Sequence, residues 1–154
     1  MHLNILTEFE CDLSELKSFA NNLANDTNIG NIYLLSGDLG VGKTTFTRFF
    51  INALFDKYQI NNPVNIKSPS YPILINYPLL NFEIYHYDFY RLKNKKELSE
   101  IEFFENFGKN ISLIEWPEII INDYDLNNYH LINFKFINLN KRKIKHQYFE
   151  FHDS

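Results

Sequence analysis

Gly37, Gly42, Lys43 and Thr44 stand at the spacing G-x-x-x-x-G-K-S/T, inside the segment Gly37-Asp38-Leu39-Gly40-Val41-Gly42-Lys43-Thr44. These residue types in this order suit one chemical task, the cradling of a phosphate chain. Gly40 and Gly42 permit positive φ and a close backbone approach, so successive N–H groups can point inward at an anion. A helix beginning near Lys43 would add the positive end of its dipole. Lys43 would meet the β and γ phosphates of a nucleotide, and Thr44 would offer its hydroxyl oxygen to magnesium. The expected cofactor-binding residues are therefore Asp38, Gly40, Val41, Gly42, Lys43, Thr44 and Thr45. An ordinary glycine-containing turn is disfavoured by the flanks. Ile32-Tyr33-Leu34-Leu35 reads as a buried parallel strand, and residues 44–57 read as a helix with Phe46, Phe49, Phe50, Ala53 and Leu54 on one side.

A magnesium nucleotide site also needs a carboxylate at the end of a neighbouring strand. Two residues qualify: Asp88, after the apolar run 84–87, and Glu115, after 111–114. Each could lie at the C-terminal edge where open α/β sheets bind ligands. For either alone, a solvated strand-end carboxylate, with Asp88 paired to Arg91 at the surface, is the competing interpretation. Asn94-Lys95-Lys96-Glu97 lacks the aspartate of a guanine-binding motif, which leaves ATP as the expected nucleotide. Only Arg48, Arg91 and Arg142 are available for a phosphate-covering lid, which disfavours phosphotransfer to a small molecule. Lys141-Arg142-Lys143, with Lys145 and His146, reads as a solvated hairpin tip; His86 and Trp116 could line a site, but ordinary packing is the commoner role of a lone histidine or tryptophan.

The elements that must position these groups follow from periodicity. Residues 12–24 form an amphipathic helix capped by Asp12 or Ser14, and 61–72, with Pro63, Pro69 and Pro72, form a loop. Runs 73–77 and 82–87 suggest two strands joined by a turn. A helix is expected over 95–107 with Gly108 as its terminator, then a strand over 111–114. The β-like runs 130–138 and 144–151 suggest a hairpin turning near 140–143. The expectation is a single-domain P-loop NTPase-like α/β fold spanning 1–154, a three-layer arrangement with a mixed sheet and a β-rich C-terminal part. Its 154 residues, 45% apolar and 22% charged, suit one globular domain. A net charge of −4 gives no general attraction to nucleic acid or anionic membranes. Cys11 is the sole cysteine, and neither a signal segment nor a long apolar run is visible, so a cytoplasmic location is expected.

Four segments in order resemble the TsaE (YjeE) family of ATPases of bacterial tRNA threonylcarbamoyladenosine biosynthesis. Residues 37–46 resemble its phosphate loop. Lys67-Ser68-Pro69-Ser70-Tyr71 resembles its Ser-Pro-Thr segment, Tyr85-His86-Tyr87-Asp88-Phe89-Tyr90-Arg91-Leu92 its His-x-Asp-x-Tyr-Arg signature, and Leu113-Ile114-Glu115-Trp116-Pro117-Glu118 its Glu-Trp-Pro motif. The resemblance implies a magnesium-dependent ATPase, slow alone, acting with the TsaD and TsaB proteins and reaching tRNA only through that complex. It implies catalytic roles for Lys43, Asp88 and Glu115, with Thr44 and Glu115 at the metal and Asp88 positioning the attacking water. Ser68 to Tyr71 would respond to the γ-phosphate, with Ser70 in place of the family's threonine. Leu16 replaces a threonine common near the start of the first helix, and Arg142 is a candidate neighbour of the adenine. A nucleotide-gated binding module, in which hydrolysis is incidental, is the alternative from another class.

Overall fold

A computed structural model describes residues 2–63, 65–69, 73–106, 108–121 and 126–150. Ser70, Tyr71 and Pro72 lie outside the described residues, as does the end of the last expected strand. Seven strands, β1 (His2–Cys11), β2 (Ile32–Ser36), β3 (Leu74–Leu79), β4 (Phe82–Asp88), β5 (Ile111–Glu115), β6 (Asn128–Phe136) and β7 (Arg142–Glu150), form one mixed sheet in the order β1-β7-β6-β2-β5-β4-β3. The four central strands β6, β2, β5 and β4 are parallel; β3 and β7 add antiparallel to their neighbours, and β1 to β7. Helices α1 (Leu13–Asp26) and α2 (Lys43–Lys57) pack on one face. The other face is covered by α3 (Lys96–Glu100) and short helical turns at Phe104–Asn106 and Pro117–Ile119.

Central strands buried on both faces must be apolar on both, and β2 and β5 have the continuous apolar character that this position requires. Tyr33, Leu35, Leu113 and Ile132 face α1 and α2, where Phe46, Phe50 and Leu54 meet them. Leu34, Ile114 and Leu131 face the opposite core with Leu98 and Phe103. Asp12 caps α1, accepting the Glu15 N–H at 2.8 Å while the Glu15 carboxylate accepts the Asp12 N–H at 3.2 Å, a reciprocal capping box. Among the described residues no helix is long and apolar enough to cross a membrane.

Two departures from the sequence reading have identifiable physical causes. The helix expected over 95–107 stops at Glu100, because Glu102 takes the left-handed conformation with φ 52°. Its N–H reaches Ser99 O and that of Phe103 reaches Leu98 O, a Schellman stop built without glycine. Burial of Leu98 and Phe103, the hydrophobic pair that accompanies such a stop, holds it in place. Strand β1 was not expected. Its charged Glu8 and Glu10 alternate with Phe9 and Cys11, and only pairing with Lys145 and Lys143 on β7 gives those charges cross-strand partners.

Under α1 the sheet carries two stacked imidazoles. His130 Nδ1 lies 2.9 Å from His146 Nε2, His130 stacks on Tyr33 at 4.5 Å, and His146 meets Phe19 at 5.6 Å. Burial, reinforced by neighbouring His146, pushes the His130 imidazole down to about 3, and burial also lowers His146. An unfolded chain titrates its histidines near roughly 6.5, so below that pH it binds more protons than the folded one. Stability therefore falls as pH drops from roughly 6.5 toward the folded-state values. His130→Phe, which keeps the stacking, should flatten this part of the profile. Thermal melts between about pH 7 and pH 4 check this; parallel wild-type and variant profiles would refute it.

Candidate functional site: a phosphate loop facing two strand-end carboxylates

The loop leaves β2 at Ser36 and enters α2 at Lys43, reversing direction through glycines with φ of 152° at Gly37 and 123° at Gly42. A Cβ on Gly37 would lie 2.7 Å from Phe134 O, so β6 itself excludes any side chain there. Gly42 is the N-cap of α2, and the Phe46 N–H closes the first turn onto its carbonyl at 2.9 Å. From β7, Arg142 Nε donates to Val41 O at 2.9 Å and pins the loop from the side. Arg142 Nη1 also donates to Asn138 O, so this residue is folded onto backbone carbonyls and is not part of a freely solvated tip.

Across from the loop, the parallel register sets Asp88 on β4 directly beside Glu115 on β5. The two carboxylates, Lys43, Thr44, Ser68 and Trp116 line one cleft of about 430 Å³. Thr44 Oγ1 donates to Glu115, 2.8 Å from Oε1 and 3.1 Å from Oε2. His86 Nε2 lies 2.6 Å from Glu115 Oε2. Asp88 accepts from Ser68 Oγ at 2.5 Å and from the Tyr90 N–H at 2.9 Å. With 6% exposure it is not a surface partner of Arg91.

Lys43 is buried and donates to Gly37 O, with Asp38 O further off at 3.4 Å. Its Nζ also sits 3.6 Å from the centre of the Trp116 ring. Burial lowers the Lys43 ammonium from its ordinary pKa, opposed by Glu115, Glu118, Asp88 and Asp38. Trp116 takes a left-handed conformation, φ 57° and ψ 58°, at an energetic cost of about 1–2 kcal/mol for a residue with a Cβ. Pro117, which disfavours the right-handed alternative, the Tyr90 ring at 4.8 Å and the bond from Trp116 N to Leu35 O hold it there.

Thr44 and Glu115 present hard oxygens beside a helix N-terminus, a donor set that fits a magnesium ion completing its shell with phosphate and water, and Asp88 stands next to Glu115 in register. Gly40, Gly42 and Thr45 border both this cleft and a second hollow of about 260 Å³ with Leu16 and Arg142. Of the other expected nucleotide residues, Val41 lines that second hollow with its side chain buried, and Asp38 is exposed beside a separate groove with Lys143 and Lys145. His86 and Trp116, read from sequence as packing residues, both touch the machinery. The period of two along β4, which puts His86 on the face of Asp88, was a usable signal for the first. For the second the signal was its place in the Glu-Trp-Pro segment, which did not foretell its contact with Lys43.

Because the protein has one tryptophan, its emission reports on the Lys43 contact. Lys43→Ala should alter the intensity or wavelength of Trp116 emission with no nucleotide present. Identical wild-type and variant spectra from folded protein would mean that the ammonium does not rest on the indole in solution.

The family described as threonylcarbamoyl adenosine biosynthesis protein TsaE matches residues 11–145. Curated relatives named tRNA threonylcarbamoyladenosine biosynthesis protein TsaE include that of Rickettsia felis, 45% identical over 106 residues, which are 69% of this chain and 59% of the relative. That of Bacillus subtilis is 36% identical over 107 residues, 69% of this chain and 63% of the relative. The matched region thus spans about three-fifths of either relative's length. The crystal structure of Bacillus subtilis YdiB superposes with a TM-score of 0.66 at 24% identity, covering 96% of this chain and 87% of that one, and so shares the fold. With a family match running from Cys11 to Lys145 and relatives of this similarity, the chain belongs to the TsaE family.

Proposed function

We propose that this chain binds ATP with magnesium and hydrolyses it as a component of tRNA threonylcarbamoyladenosine biosynthesis, acting with TsaD and TsaB and leaving the transfer of the threonylcarbamoyl group to them. tRNA would be reached only through that complex. The observation that carries the reading is the meeting of Thr44, at the N-terminus of α2, with Glu115, beside Asp88 in register. Membership of the TsaE family supports the pathway.

Bound magnesium ATP supplies a phosphoanhydride whose terminal phosphate is open to attack by water. The loop N–H groups and Lys43 bind the phosphates, and Lys43 must leave Gly37 O and the Trp116 face to do so. Thr44 and Glu115 hold the metal side of the cleft. Asp88, its Oδ2 tied to Ser68 and its Oδ1 to the Tyr90 N–H, is oriented to accept a hydrogen bond from the attacking water and fix its direction. The hollow with Leu16 and Arg142, on the other side of Gly40 and Gly42, is the place for the base.

Three substitutions separate these roles. Lys43→Ala should weaken ATP binding at least tenfold in calorimetry, through loss of the buried cation that meets the phosphates. Glu115→Ala should impair magnesium nucleotide binding and turnover together. Asp88→Ala should lower turnover while largely sparing affinity. Turnover is measured with TsaD and TsaB, which should accelerate it. Unaltered hydrolysis in the Asp88 variant would remove its role in orienting water. A wild-type rate unchanged by the partners, with ATP-dependent partner binding, would favour a nucleotide-gated module over a hydrolytic cycle.

A further inference from the structure

His86 sits on β4 two residues before Asp88, so both face α2. It is 0% exposed, and its strand neighbours in register, Leu113 and Ile75, are apolar. Its Nε2 meets Glu115 Oε2 at 2.6 Å, while Nδ1 has no hydrogen-bond partner among the described residues. An apolar side chain would fill this layer without stranding a buried nitrogen, so packing alone does not account for an imidazole here. A carboxylate oxygen accepts, which makes Nε2 the donor nitrogen. The imidazole does not line the cleft. It reaches the site only by holding one oxygen of Glu115 from below, and Thr44 contacts the other oxygen at its shortest distance.

We propose that His86 is the positioning residue of the magnesium site, its Nε2–H locking the Glu115 carboxylate in the rotamer that presents Oε1 to Thr44 and the metal side of the cleft. This rests on the reading of Glu115 as the metal-site carboxylate. Hydrogen-bond donors behind a ligating group typically change metal affinity or activity by about 10–100-fold when removed. His86 is therefore expected to act on magnesium and not on the phosphates, which the loop and Lys43 bind without it.

The test uses His86→Leu, which removes the donor, and His86→Gln, whose side-chain amide can restore it. ATP affinity is measured by calorimetry with EDTA and with saturating magnesium, and thermal melts confirm folding. In EDTA both variants should bind ATP as the wild type does. The tightening caused by magnesium should fall about tenfold in the leucine variant and largely return in the glutamine variant. An undiminished magnesium effect in folded His86→Leu overturns the proposal, as does a glutamine variant no better than the leucine one. If Glu115→Ala also leaves the magnesium effect intact, the assignment of Glu115 fails, and this inference with it. Should His86→Leu not fold, the wild-type protein carries the test through NMR of the His86 Nε2–H proton. That signal should be protected from exchange and shift when magnesium is added to the ATP complex; a signal that stays in place overturns the proposal.

Discussion

The parallel pairing of β2, β5 and β4 is the constraint on which the site depends. Its register sets Leu35 beside Glu115 and Glu115 beside Asp88, so the end of β2 that feeds the phosphate loop and the two carboxylates share one edge. Helix α2 then returns over the same face, and Thr44 at its first turn falls within 2.8 Å of Glu115. A slip of one residue in β4 or β5 would turn its carboxylate to the opposite core, because side chains alternate faces along a strand. The apolar residues below, Ile84, Ile111 and Leu113 under α2 against Tyr87 and Ile114 on the other side, are what forbid that slip.

This edge concentrates ionisable groups that folding would otherwise leave in water. Lys43, Asp88, Glu115 and His86 are all buried. Removing one member of a buried charged network leaves its partners uncompensated at a cost in stability, so the members are best held as a set. Lys43 is satisfied by the loop's own carbonyl and by the indole of Trp116, while Glu115 is held from two sides by Thr44 and His86. The left-handed backbone at Trp116 belongs to the same arrangement, since it brings the ring over the ammonium directly after the strand that carries Glu115. Strain at such positions persists where surrounding contacts hold it, and here the Tyr90 ring and Pro117 do so.

The far side of the sheet serves the loop as well. The β6–β7 hairpin brings Phe134 O against Gly37 and Arg142 against Val41 O, so the two ends of the loop's turn are fixed by strands remote in sequence. Strand β1 then covers β7 and leads directly into α1, whose Leu16 borders the hollow beside Gly42. The β-rich C-terminal part is thus a support for the edge that carries the glycine loop and not an appendage to it.

Much of this was legible in the order of residues. The apolar run of β2, the glycine spacing and the amphipathic α2 are local signals, each set by the period of its own element, and they gave strand, loop and helix almost to the residue. Asp88 and Glu115 were visible as carboxylates ending apolar runs, and the β6–β7 hairpin as two alternating runs around a polar turn. Other features depended on contacts between segments far apart in the chain. That Asp88 and Glu115 stand side by side is a matter of strand order and register, which no single strand encodes. His86 and Trp116 met the groups of the site only once β5 and α2 were in place, and Arg142 left the hairpin tip because it begins β7, paired with Cys11 of β1, and reaches Val41 O. The stop at Glu102 and the pairing of β1 had the same origin: burial of Leu98 and Phe103, and the free edge of β7, outweighed local propensities that pointed elsewhere. Periodicity and glycine spacing act within a few residues and so can be read along the chain, whereas burial and hydrogen bonding across the sheet are decided by which segments meet.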